Sequence, residues 1–326
     1  MEILPDFELV RPADIEAAAR AGARDGARFI SGGTALMTDL RRGLGAPQTL
    51  VDLSCLEQLR GIGEVDGGLR VGAGVTLQQL ITDPHIQADY RVIADAAETV
   101  AGTTHRASAT VGGNLCLDTR CQFYNQSEWW RSANGYCLKY RGSICHVANN
   151  SELCMAAYSG DLAPAMLLHD ARVELVSPGG SRTIALHELY QANGAAHLLL
   201  APGELVTSVT LRKLEHYRSS YRKVRVRGGI DFPLVGVAMA VRGSAHCLED
   251  VRVALTGTNP QPVALEGTAE LAGKELDATA LKVLEKLVRS QTKPMRSTFT
   301  PGPYRGRVVV NVVRRMITDL VVSGGS

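Results

Sequence analysis

The sequence has no run approaching the ~18 consecutive apolar residues of a membrane-spanning helix. Its first residues, Met1-Glu2-Ile3-Leu4-Pro5-Asp6, lack the basic and apolar regions of a secretory signal. It also lacks a charge imbalance. Its 35 Lys and Arg face 33 Asp and Glu, for a net charge of +2, so neither nucleic acid nor an anionic membrane has much to attract. The one basic stretch, residues 222–227, is short and reads as a solvated or cofactor-facing strand. Repeats at solenoid spacing and long low-complexity linkers are missing as well. These absences argue against a membrane protein, a nucleic-acid binder and a repeat array. They leave a cytoplasmic globular protein as the expectation. A reducing cytoplasm makes disulfides unusual, so the seven cysteines are expected to be buried, catalytic or metal-bound.

What is present is 326 residues, enough for two or three domains. The first 55 residues alternate helix and strand. An Ala-rich helix follows Pro12-Ala13-Asp14, Arg28-Phe29-Ile30 is a strand, and a second helix over residues 35–42 stops at Gly43. With the strand at residues 49–53 this predicts a small parallel β-α-β unit. Hairpins follow around Asp66-Gly67-Gly68 and Pro178-Gly179-Gly180, with another strand at residues 204–211. From about residue 217 the pattern predicts three strands and two helices, over residues 276–290 and 306–322. The fold class expected is α+β: a small parallel unit and a larger mixed or antiparallel sheet, then an antiparallel sheet with helices.

Two glycine pairs carry the first functional signal. Phe29-Ile30-Ser31-Gly32-Gly33-Thr34-Ala35-Leu36 joins a strand to a helix. Adjacent glycines let backbone N–H groups converge on a ligand, and a helix N-terminus adds partial positive charge. A pyrophosphate suits such a cradle. The segment is not a P-loop, because no Gly-Lys-Ser/Thr follows, and it lacks the Rossmann spacing. Thr110-Val111-Gly112-Gly113-Asn114 repeats the chemistry about eighty residues later. Either pair alone is as compatible with a plain turn.

Together, and in this order, the pairs resemble the FAD-binding subunits of the xanthine dehydrogenase and carbon monoxide dehydrogenase family. Ser159-Gly160-Asp161-Leu162-Ala163-Pro164, Ala201-Pro202-Gly203-Glu204-Leu205 and the segment around Lys223, Arg227 and Asp231 are similar to later parts of that family. The resemblance implies an FAD-binding domain over residues 1–216, with subdomains 1–55 and 56–216, and a C-terminal domain over 217–326. It implies FAD contacts from Phe29 to Leu36, from Ala101 and from Thr110 to Asn114. Asp161 would bond the ribityl or adenosine side, and Lys223 would lie near the isoalloxazine.

Residues 116–158 form an insert of roughly forty residues, long for a structureless loop and therefore functional. It carries Cys121, Cys137, Cys145 and Cys154. Four thiolates suit either Zn²⁺ or an iron–sulfur cluster. The spacing has neither paired C-x-x-C units nor a compact ferredoxin run, and an adjacent redox flavin gives an electron carrier a purpose. Cys116 reads as a buried neighbour, and His146 as a neighbour rather than a ligand. The aromatics of the insert, including both tryptophans, are expected to form a mini-core around the metal.

An FAD subunit with a four-cysteine insert resembles the middle subunits of 4-hydroxybenzoyl-CoA reductases. That implies a [4Fe–4S] cluster on this chain, a large molybdopterin subunit, a small subunit with two [2Fe–2S] centres, and a dimer of heterotrimers. It also implies a ferredoxin-like low-potential donor. The alternative is an ordinary hydroxylase subunit passing electrons outward to NAD or O₂, with zinc in the insert.

Overall fold

The computed structural model describes residues 4–322; Met1, Glu2 and Ile3, part of the N-terminal reading above, lie outside the described residues, as do residues 323–326. Three sheets follow one another along the chain. The first is parallel, in the order β1-β3-β2, with β1 Glu8–Val10, β2 Ala27–Ile30 and β3 Thr49–Asp52. Helix α1, Ile15–Gly22, starts where the Asp14 carboxylate accepts from the Ala17 N–H at 2.6 Å. Its Ala18, Ala19 and Ala21 bury against Val51, Leu56 and Leu205. Helix α2, Leu36–Arg41, leaves the first glycine pair and ends before Gly43, whose φ of +67° is left-handed.

The second sheet is antiparallel, in the order β4-β5-β8-β6-β7. It comprises β4 Ile62–Val65, β5 Gly68–Gly72, β6 Arg172–Ser177, β7 Gly180–Ala185 and β8 Leu205–Arg212. Between β5 and β6 run α3 Leu77–Thr82, α4 Pro84–Asp89, α5 Arg91–Glu98, α6 Thr103–Arg106, α7 Val111–Leu115, α8 Glu128–Ala133 and α9 Leu162–Leu168. Helix α3 opens with a reciprocal box. The Thr76 hydroxyl accepts from the Gln79 N–H, and the Gln79 side chain accepts from the Thr76 N–H.

The third sheet, also antiparallel, has the order β12-β11-β10-β9, with β9 Arg218–Val224, β10 Val235–Gly243, β11 Leu248–Thr256 and β12 Val263–Ala264. Alternation along β10 sorts side chains by size. Ala238 and Ala240, with Tyr221 and Ala254, face the core that holds residues of α5 and α9. Val237, Met239 and Val241 face the other way, toward α10 Ala278–Gln291 and α11 Gly302–Val322. Small residues on one face let helices approach closely, and large ones fill the wider gap on the other. No helix among the described residues is long and apolar enough to cross a membrane.

The mixed architecture agrees with the α+β expectation. Three details depart from it. Strands β1 and β12 were not anticipated. The second glycine pair, expected in a loop, lies within α7. Trp129, expected in a mini-core, is 77% exposed, whereas Phe123 and Tyr124 do pack beside the cysteines.

Candidate functional site

The two glycine pairs meet. A Cβ on Gly32 would lie 1.9 Å from the Ser108 carbonyl oxygen, so only glycine lets these segments touch. The Thr110 hydroxyl donates to the Ser31 hydroxyl at 3.3 Å across the same seam. Gly33 adopts a left-handed φ of +67° and turns the chain into α2. In the first turn of α2 the Met37 N–H donates to the Gly33 carbonyl and the Asp39 N–H to the Ala35 carbonyl, both at 3.0 Å, so an anion cradle here would draw on the N–H groups of the turn ahead of them. Among the neighbouring residues proposed from sequence, the Phe29 ring packs over Gly22 and Ile30 beside Gly33. The Thr34 carbonyl accepts from the Thr38 hydroxyl at 3.1 Å.

The second pair is different. The Val111 and Gly112 N–H groups donate to the Val75 and Ala73 carbonyls, at 2.9 and 2.8 Å. The Gly113 N–H donates to the Thr110 hydroxyl, and the Asn114 N–H to the Thr110 carbonyl. These four donors are thus bonded within the protein, so they do not form an open nest. Gly112 gives room for Ala73, whose Cβ would lie 2.9 Å from an added methyl. The Asn114 side-chain oxygen accepts from the Leu162 N–H at 3.0 Å, tying α7 to α9. The Tyr158 and Tyr190 hydroxyls lie 3.1 Å from the Leu115 carbonyl at the far end of α7.

Asp161 and Lys223 are brought together from 62 residues apart. The Lys223 ammonium donates to the Asp161 carboxylate at 2.8 Å and to the Thr99 carbonyl at 3.2 Å, and both side chains are nearly solvent-free. The other Asp161 oxygen accepts from the Tyr221 hydroxyl at 2.7 Å. Burial pushes the Asp161 carboxyl above the usual carboxylate range, against the pull of Lys223 and Tyr221. Arg225 also donates to the Thr99 carbonyl, at 2.9 Å. The pair therefore braces the turn leading to Ala101, which holds a left-handed φ of +43°. Sequence reasoning named Asp161 and Lys223 but missed their pairing, because separation along the chain carries no distance information.

The four insert cysteines come together. Cys121, Cys137, Cys145 and Cys154 line one small cavity of about 10 Å³, with Phe123, Tyr124, Lys139 and His146. Three of them are buried. Burial pushes the Cys121 thiol up to about 11, while the backbone N–H groups of Phe123 and Tyr124 hold it down. The Cys154 thiol is raised by burial too, and the Ala156 N–H opposes the rise. Hydrogen bonds of this kind to sulfur stabilise thiolate ligands. Among the described residues, no three His, Cys, Asp or Glu side chains converge tightly enough to hold a single metal ion. A lone zinc needs four sulfurs about 2.3 Å from one point. A cubane spreads them further apart, because each thiolate binds a different iron. Four thiols lining one enclosure are a donor set that zinc or an iron–sulfur cluster takes. Cys116 caps the end of α7 and packs against the main core, away from the cavity. A ring nitrogen of His146 bonds to the Tyr136 carbonyl.

Three arginines fasten the insert to the first subdomain. Arg120 pairs with Asp39 of α2 at 2.8 Å. Arg131 donates to the Gly43 carbonyl at 2.8 Å, and Arg42 donates to the Asn125 carbonyl. The Gly194 N–H donates to the Cys154 carbonyl at 2.7 Å, and the Gln122 N–H to the Ser297 carbonyl at 2.8 Å. The insert thus touches all three parts of the fold.

Known proteins agree with this architecture. The family described as the FAD binding domain in molybdopterin dehydrogenase matches residues 5–212, and the CO dehydrogenase flavoprotein C-terminal domain matches residues 219–320. The chain belongs to this family of FAD-binding subunits. It is 35% identical over 297 residues to the aldehyde oxidoreductase FAD-binding subunit PaoB of Escherichia coli, covering 87% of this chain and 90% of that one. The Hydrogenophaga pseudoflava carbon monoxide dehydrogenase medium chain is 23% identical, with 97% of both chains covered. In reconstituted CO dehydrogenase from Oligotropha carboxidovorans, a chain superposes with a TM-score of 0.81 at 24% identity, covering 98% of this chain and 99% of that one.

Proposed function

We propose that the chain is the flavin- and cluster-carrying subunit of a molybdenum enzyme of the 4-hydroxybenzoyl-CoA reductase type. The observation that carries this reading is the convergence of Cys121, Cys137, Cys145 and Cys154 on one cavity in an insert fastened to the flavin fold. When bound, a [4Fe–4S] cluster supplies one-electron exchange and FAD both one- and two-electron exchange. The chain's own residues hold, orient and insulate these groups. Ser31, Gly32, Gly33 and Thr34, with Ala35 and Leu36 at the start of α2, cradle the pyrophosphate. The Thr110 hydroxyl completes the seam. The Asp161–Lys223 pair positions the turn at Ala101 on the flavin's side of the cleft. Aromatic side chains around the cysteines exclude water from the cage.

In this reading a large molybdopterin subunit and a small subunit with two [2Fe–2S] centres complete a dimer of heterotrimers. Electrons arrive from a ferredoxin-like donor and leave through the partners to remove the phenolic hydroxyl of 4-hydroxybenzoyl-CoA. The sequence resemblance around the insert supports the reductive direction. The similarity to PaoB favours a second reading, aldehyde oxidation with electrons passing outward.

The test is an anaerobically purified complex. Iron and acid-labile sulfide in equal amounts on this subunit are expected, with reduction of 4-hydroxybenzoyl-CoA by a low-potential donor. Zinc alone in the insert would overturn the cluster. Turnover of aldehydes in place of the thioester would select the second reading. Cys137→Ser should remove the cluster's visible absorbance and leave FAD bound; an unchanged spectrum would refute the ligand set.

A further inference from the structure

Lys139 is the one Lys or Arg among the residues lining the cysteine cavity. Its side chain is only 5% exposed. The ammonium donates to the Asp118 carboxylate at 2.7 Å, the Gly194 carbonyl at 3.0 Å, the Thr119 carbonyl at 3.2 Å and the Thr119 hydroxyl. It also sits 5.0 Å from the centre of the Tyr124 ring. Such a dense shell of acceptors is unusual for lysine, which ordinarily keeps its head in water.

The two halves of the Lys139–Asp118 pair are not equivalent toward the cage. Asp118 does not line the cavity, and its side chain is 37% exposed. Water screens a charge there far better than one enclosed beside the thiols. The pair therefore presents a dipole whose positive end faces the cysteines. Placing an electron on a group in that cavity adds negative charge next to a fixed, poorly screened cation. In a low-dielectric site that attraction favours the reduced form.

We propose that Lys139 is a potential-setting residue: its buried ammonium raises the reduction potential of the cluster held by the four cysteines. This rests on the cluster reading above. Among the described residues no other group on the cavity wall supplies a permanent positive charge, and Thr119 and Gly194 fix the ammonium's position. Reduction by an outside donor is easier with Lys139 in place than without it.

The experiment is an EPR-monitored redox titration of the intact complex, with iron, sulfide and FAD measured in parallel. Lys139→Met should lower the ratio of reduced to oxidised cluster at least tenfold at a fixed ambient potential, about 59 mV for one electron. Lys139→Arg should recover most of that shift. Asp118→Asn, which strips the ammonium of its counter-charge, should move the midpoint the opposite way. A purely structural lysine would lower thermal stability in Lys139→Met and leave the midpoint where it was. Full iron content with an unmoved midpoint in that variant overturns the assignment. If Lys139→Met fails to assemble, Asp118→Asn decides: a midpoint unchanged or more negative overturns it. Wild-type complex without iron on this subunit overturns the cluster reading and this assignment together. A loaded cluster whose midpoint ignores Lys139 overturns this assignment alone.

Discussion

Gly32-Gly33 and Gly112-Gly113 look alike in sequence and do opposite things in the fold. The first pair is a turn, with one glycine left-handed and the other pressed against the Ser108 carbonyl. The second lies inside α7, with its N–H groups already bonded to protein acceptors. In the proposed reading the first pair offers its backbone donors to the pyrophosphate. The second packs a helix tightly enough to bring Thr110 up to Ser31. In that reading two matching dipeptides serve one cofactor in different ways, one by contact and one by supporting the contact.

Substituting along the two pairs tests that contrast. Gly32→Ala should have the largest effect, because its methyl would fall 1.9 Å from the Ser108 oxygen and the two segments would have to part. Overpacking of this kind costs about 3 kcal/mol, which predicts a roughly hundredfold weaker Kd for FAD. Flavin retention through gel filtration would check it; full retention would show that the seam is not part of the cradle. Gly33→Ala meets only the flexible Met37 side chain closely, with Cγ at 3.3 Å, but must keep a left-handed backbone. That strain is about 1–2 kcal/mol, so fluorescence titration should show roughly tenfold weaker binding. Gly113→Ala should change least. Only the Thr110 hydroxyl, at 3.0 Å, approaches the new methyl, and alanine is the better helix former by about 0.5–1 kcal/mol. FAD content equal to wild type is expected. A loss comparable to that of Gly32→Ala would erase the contrast and make the second pair a direct ligand.

The sequence disclosed the parts of the fold whose signals are local. Both predicted hairpins pair in register around glycine turns, and α3 has its Thr76–Gln79 box. Strand β1 escaped notice because it is three residues long and largely exposed, so alternation never develops. Helix α7 was hidden by its own glycines, which ordinarily mark the end of a helix; the Tyr158 and Tyr190 hydroxyls help satisfy its last carbonyls instead. At the site, composition was enough to single out the cysteines, since thiols are scarce and these cluster. It could not reveal the Asp161–Lys223–Tyr221 network, whose members meet only after the third sheet packs against α9. Lys139 gave no signal either. A lysine beside a cysteine is normally solvated, and only the fold shows that Asp118, Thr119 and Gly194 enclose it.

The arrangement at the base of the insert makes it separable from its host. Arg120 and Ala157 exchange both backbone hydrogen bonds, at 2.7 and 2.9 Å, so the segment leaves and rejoins the host at nearly the same point. Residues paired this way have Cα atoms about 5.5 Å apart, a gap that one or two residues bridge. The thirty-six residues between them can therefore be gained or lost without moving α7 or α9. The insert is in that sense a separable cassette, held to the first subdomain by arginine fastenings outside this base pair. An engineered excision that links residue 120 to residue 157 through one or two residues should leave the three sheets in place, which circular dichroism and retained FAD would check.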